Sequence, residues 1–168
     1  GARLQTHQGK RTISQFGDRC ARLGDLDGDG VLDYGIAEPR NIGPLGPGNA
    51  QIYSGATQRL LRSVDGAATP VGREQGTGRI LVDLGDWDRD GRDDLLISSG
   101  GRLMVDSGRT GESLARLFVD ARGFGRAADG GPDVDGDGVG DLVLGGTDGV
   151  RFVSGPEPRR RAYSSPGW

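Results

Sequence analysis

Asp25-Leu26-Asp27-Gly28-Asp29-Gly30-Val31-Leu32-Asp33 is the first of three stretches built to one pattern. Asp86-Trp87-Asp88-Arg89-Asp90-Gly91-Arg92-Asp93-Asp94 and Asp133-Val134-Asp135-Gly136-Asp137-Gly138-Val139-Gly140-Asp141 repeat it. Asp stands at loop positions 1, 3, 5 and 9 of all three, and Gly stands at position 6. Position 4 varies, being Gly28, Arg89 and Gly136. Ordinary solvated Asp-Gly turns would explain one such stretch. They do not explain the same four offsets in three copies.

The flanks keep register with the loops. Nine residues before each first Asp lie Phe16-Gly17, Thr77-Gly78 and Phe124-Gly125, and after each loop comes Ser54-Gly55, Ser107-Gly108 or Ser154-Gly155. Asp25 to Asp86 is 61 residues and Asp86 to Asp133 is 47. The longer first interval holds a Gly/Pro-rich insertion from Glu38 to Asn49. The chain is thus one repeated unit with loop insertions, and that test comes before any other.

Each unit reads as short strands divided by turn residues. In the second these are 79–84, 94–98, 102–106 and 113–119. No window has the 3–4 residue apolar spacing of a helix. Four strands in about 40–60 residues is the pattern of a propeller blade. Gly1-Ala2-Arg3-Leu4 resembles Leu114-Ala115-Arg116-Leu117, so residues 1–10 are expected as the outer strand of a preceding blade. Repeats follow at 11–66, 67–120 and 121–168, the last with an irregular tail. In the third repeat Ala127-Ala128-Asp129-Gly130-Gly131 replaces the expected apolar inner strand.

The chemistry of the loops is that of a hard cation. Carboxylates at positions 1, 3 and 5 supply oxygen ligands only, which suits calcium. Gly at position 6 permits a sharp turn. The candidate ligands are Asp25, Asp27, Asp29, Asp33 and the Val31 carbonyl; Asp86, Asp88, Asp90, Asp94 and the Arg92 carbonyl; and Asp133, Asp135, Asp137, Asp141 and the Val139 carbonyl. About three Ca²⁺ are expected, one to a repeat. An EF-hand is excluded, since it needs Glu at position 12, where Ile36, Ile97 and Leu144 stand. Twelve of the 24 acidic residues occupy the repeated positions, and three Ca²⁺ would carry the net charge from −3 to +3.

Phe16-Gly17, Gly24 through Gly30, and Asp33-Tyr34-Gly35-Ile36-Ala37-Glu38-Pro39 together resemble the FG-GAP repeat of integrin α-subunit propellers. The Ser-Gly-x-Thr segments at 54–57 and 107–110 resemble bacterial extracellular FG-GAP/VCBS-type proteins. The resemblance spans residues 1–155. It implies an all-β fold of about three four-stranded antiparallel blades, part of a larger or oligomer-completed propeller. It implies calcium at the loop Asp residues, an extracellular or cell-surface setting in a bacterium, and a non-catalytic adhesion-type role. Thr77-Gly78 departs from the Phe-Gly pattern.

Other functions find little support. His7, placed on an outer strand, is the only histidine, Cys20 is the only cysteine, and no acid/base pair stands out. Gly76-Thr77-Gly78 lacks the Lys and helix of a phosphate loop. Arg159-Arg160-Arg161 reads as a solvated charge run, so no nucleic acid is expected. No apolar run reaches the roughly 20 residues of a membrane span. The expected partner is a protein, or further copies of the chain, closing the ring. The alternatives are a lectin-like propeller taking a glycan, with Trp87 as an exposed stacking platform, and a polysaccharide-active enzyme on the same scaffold.

Overall fold

The computed structural model describes residues 5–9, 15–39, 48–66, 77–99, 102–118, 127–147 and 149–155. Gly1–Leu4, Phe124-Gly125, the middle of the 38–49 insertion, Gly76 and the Arg-rich tail lie outside them. Eleven strands are described: β1 Arg19–Arg22, β2 Tyr34–Glu38, β3 Asn49–Tyr53, β4 Leu60–Asp65, β5 Leu81–Gly85, β6 Asp94–Ser99, β7 Arg102–Asp106, β8 Ser113–Phe118, β9 Ala127–Gly130, β10 Leu142–Gly145 and β11 Val150–Val153. They form three sheets in the orders β1-β2-β3-β4, β5-β6-β7-β8 and β9-β10-β11, all antiparallel. No helix occurs among the described residues. The fold is all-β, with propeller-like blades that do not close into a ring among the described residues.

Strand alternation explains how the blades stack. Side chains of a strand point to opposite faces in turn. In β6, Leu95 and Ile97 join Leu23, Ala37, Ala50, Ile52 and Leu81 in one apolar cluster. Leu96, between them, joins Leu103, Val105, Trp87, Val139, Leu142 and Leu144 in another. Sheet two is therefore buried on both faces, and β6 reads as a continuous apolar run instead of an alternating one.

The strands of the second repeat lie where turn chemistry placed them, shifted by a residue or two. In the third repeat Ala127–Gly130 does form the inner strand, paired with β10 from Gly130↔Leu142 to Ala127↔Gly145. Small residues serve because backbone pairing to an apolar neighbour supplies the order, and Ala128 still packs on the second cluster. Residues 5–9 carry no strand. His7 instead bonds the Tyr34 hydroxyl at 2.8 Å and lies 4.2 Å, ring to ring, from Tyr53. Tyr34 and Tyr53 are cross-strand partners on the face of sheet one turned away from sheet two, so this segment covers part of that face.

The repeated glycine before each inner strand has two surroundings. Gly17 and Gly78 both adopt positive φ, +89° and +81°, and each donates its N–H to the second strand of its own sheet, to Ala37 O and Ser98 O. A Cβ on Gly17 would meet nothing, whereas one on Gly78 would come within 2.5 Å of Ala37 Cβ and 3.2 Å of Ala50 Cβ in sheet one. Both substitutions to Ala carry a left-handed backbone penalty of about 1–2 kcal/mol. Only Gly78→Ala adds overpacking between blades, worth about 1–3 kcal/mol more. Urea unfolding of the two variants is expected to rank Gly78→Ala as clearly the more damaging.

Candidate metal centres

Each Asp loop joins an inner strand to its neighbour, and its backbone is folded around the first Asp. In loop one, the Asp25 carboxylate accepts the N–H groups of Gly28, Asp29 and Gly30. Asp133 accepts those of Gly136, Asp137 and Gly138. Asp86 accepts those of Asp90 and Gly91. Position 3 then accepts from position 5: Asp29 N–H to Asp27 at 3.1 Å, Asp90 N–H to Asp88 at 3.0 Å and Asp137 N–H to Asp135 at 3.1 Å. Position 5 accepts from position 7: Val31, Arg92 and Val139 donate to Asp29, Asp90 and Asp137. Three loops from three separate stretches of chain reach nearly one hydrogen-bond pattern.

Position 9 has a different place. Asp33, Asp94 and Asp141 are buried, at 1%, 0% and 2% exposure. One oxygen of each accepts the N–H of position 2, from Leu26, Trp87 or Val134. The other accepts from the glycine of the Ser-Gly pair, Gly55, Gly108 or Gly155. The sequence marked that pair only as a landmark. Its recurrence after every loop is the signal, and close approach is the reason for glycine: a Cβ on Gly55 or Gly108 would lie 1.9 Å from the carbonyl oxygen of Leu32 or Asp93. The Ser hydroxyls accept N–H from Thr57 and Thr110 and finish the turns.

Carboxylate oxygens of Asp25, Asp27 and Asp29 lie within 4.8 Å of one another, as do those of Asp86, Asp88 and Asp90, and of Asp133, Asp135 and Asp141. Asp33, Asp94 and Asp137 lie outside these tight triplets. The donor set is all hard oxygen, which fits calcium. Asp137 Oδ2 is buried without a hydrogen-bond partner. An unpaired buried carboxylate oxygen is costly, and a cation would satisfy it. Burial raises the Asp88 carboxyl above its ordinary value, and the charges of Asp90 and Asp86 push the same way.

Loop two also touches both its neighbours. Asp93 accepts the Asp25 N–H at 3.2 Å, and the Arg92 guanidinium lies against Gly28 of loop one. Arg89 donates to the Asp137 carbonyl of loop three and lies 3.8 Å from its carboxylate. Arg109 holds Asp90 in the same manner, through its carbonyl and through a 3.1 Å ion pair. Trp87, the stacking platform of the glycan alternative, is 6% exposed. Its ring packs with Val139 and Leu142 between sheets two and three, so no sugar can stack on it.

Asp94 supplies a pH test. Burial pushes its carboxyl up to about 6, against the lowering effect of its three N–H donors. A folded-state value above the unfolded 3.8 means that the protonated form favours the fold. That stability is complete below pH about 3.8 and is lost as pH rises through about 6. Freed of divalent ions, the chain is expected to show a lower urea midpoint at pH 7 than at pH 5. Asp94→Asn should flatten that slope while lowering both midpoints, because an amide cannot accept from donors on both sides.

Over 98 residues, 58% of this chain, the sequence is 33% identical to integrin alpha-IIb of Mus musculus. It is 32% identical to integrin alpha-IIb of Homo sapiens over the same length. The chain spans only 9% of the length of these relatives. No family model matches it. With the three antiparallel blades and their repeated loops, these likenesses make the chain a distant relative of the integrin α, FG-GAP-like propellers.

Proposed function

We propose that the chain is a non-catalytic, calcium-stapled propeller module of an extracellular, adhesion-type protein. The observation that carries this reading is the threefold recurrence of one oxygen-lined loop, with a buried carboxylate oxygen left unpartnered in the third. Calcium would be held by the Asp residues at positions 1, 3, 5 and 9, with the carbonyls of Val31, Arg92 and Val139 completing the shells. Its chemistry there is neutralisation of clustered charge. The protein's own part is to fold each loop around its first Asp before the ion arrives.

The module's role is to present surface, and its partner is a protein or further copies of the chain. Sheet three supports the partner reading. Val150 and Phe152, 62% and 54% exposed, lie with Val143 on the face turned away from sheet two, where another blade would stack. The relationship to integrin α-subunits supports the adhesion-type setting. A glycan-binding role has no platform at Trp87.

Extracellular modules bind calcium with dissociation constants on the order of 10⁻⁴–10⁻³ M. At about ten times that constant, linkage contributes roughly 1.4 kcal/mol for each site. The melting temperature is therefore expected to rise by several degrees from chelator to millimolar Ca²⁺. Asp27→Ala, Asp88→Ala and Asp135→Ala should each remove one site from a calorimetric titration, and the triple variant should bind no calcium specifically. Identical melts with and without calcium would sink the reading, and full binding by the triple variant would sink the ligand assignment.

A further inference from the structure

We propose that Arg89 sets the affinity of the third cation site, acting from the second loop as a built-in competing charge. This rests on the calcium reading of the loops. Three observations lead to it. The first is backbone conformation. Loop position 4 is left-handed in all three loops, with φ of +81° at Gly28, +64° at Arg89 and +82° at Gly136. Two loops place glycine there, where it is free of penalty. Loop two places an arginine and bears a strain that the local turn does not require.

The second observation is what that side chain reaches. Its guanidinium crosses to the next blade and donates to the main-chain carbonyl of Asp137. The same group lies 3.8 Å from Asp137 Oδ1 and from the position where a Cβ of Gly138 would stand. Asp137 is position 5 of loop three, and its other oxygen is the unpartnered one. One oxygen of the carboxylate thus faces a resident positive charge while the other remains free for an ion.

The third observation is that loop three does not need Arg89 in order to fold. Asp133 gathers the N–H groups of Gly136, Asp137 and Gly138, as Asp25 gathers those of Gly28, Asp29 and Gly30 in loop one. The arginine therefore adds little preorganisation, and its charge decides the sign. A divalent ion bound to a carboxylate that lies 3.8 Å from a guanidinium meets a water-screened repulsion corresponding to about tenfold in affinity. Arg89 weakens site three, so that it fills at a higher calcium concentration than its own ligands would set. The side chain is 40% exposed, so the effect is screened by salt.

The test reads the sites separately. The amides of Gly30, Gly91 and Gly138 donate to the first Asp of their own loops, so each reports one site in ¹⁵N–¹H spectra during a Ca²⁺ titration. In Arg89→Gly and Arg89→Gln the Gly138 midpoint is expected to fall about tenfold at low ionic strength. The Gly30 midpoint should not move, and Arg89→Lys should stay near the parent. In about 1 M salt, where the Debye length is about 3 Å, the difference should nearly vanish. An unmoved or higher Gly138 midpoint in the two neutral variants, with all three amides still responding, overturns the role of Arg89 and leaves the calcium reading intact. Silence of all three amides in the parent chain overturns both.

Discussion

Each blade is organised around one buried carboxylate, that of Asp33, Asp94 or Asp141. Through its two oxygens this group ties the start of the Asp loop to the Ser-Gly turn at the end of the sheet's third strand. A buried acceptor with donors on both sides is worth more than the sum of exposed turns, because losing it strands several amides at once. The remaining Asp residues can then gather at the mouth of the loop, held there by the backbone in spite of their mutual repulsion. Burial of the carboxylate also explains the raised values at Asp33 and Asp94.

Between blades the binding force is apolar, and the strand period distributes it. A single run, Leu95-Leu96-Ile97, serves two clusters because successive side chains face opposite sheets. Where two blades meet at their ends, polar groups take over. Arg62 of sheet one donates to the Ser107 carbonyl at 3.0 Å, and Asp106 and Asp94 supply the charges that favour its cationic form. Burial is the larger effect and pulls the Arg62 guanidinium below its ordinary value.

Much of this was legible in the sequence where the signal is local. The same Asp spacing within the loops that begin at Asp25, Asp86 and Asp133 marked the three sheets, and turn residues bounded β6, β7 and β8 within a residue. What escaped was the part set by distant neighbours. Trp87 reads as a loop residue, but it is position 2 of a loop whose second residue points into the gap between sheets. Ala127–Gly130 lacks the apolar pattern of a strand and becomes one because β10 lies beside it. His7 is read from local sequence as an outer-strand residue, and its tyrosine partners come from strands 27 and 46 residues on. Arg89 looked like plain variation at position 4, since its partner lies in another repeat.

The connectivity of the sheets has a consequence for how the molecule is made. Within every sheet the hydrogen-bonded order follows the chain order, strand by strand. Among the described residues the main strand contacts between sheets join successive repeats, β1 with β5 and β5 with β9. Loop-closure entropy therefore stays small at each step, as in other repeat architectures. A nascent chain can complete one meander, lay the next against it, and so grow in the direction of synthesis. Sheet two then serves first as the newest layer on sheet one and afterwards as the template for sheet three.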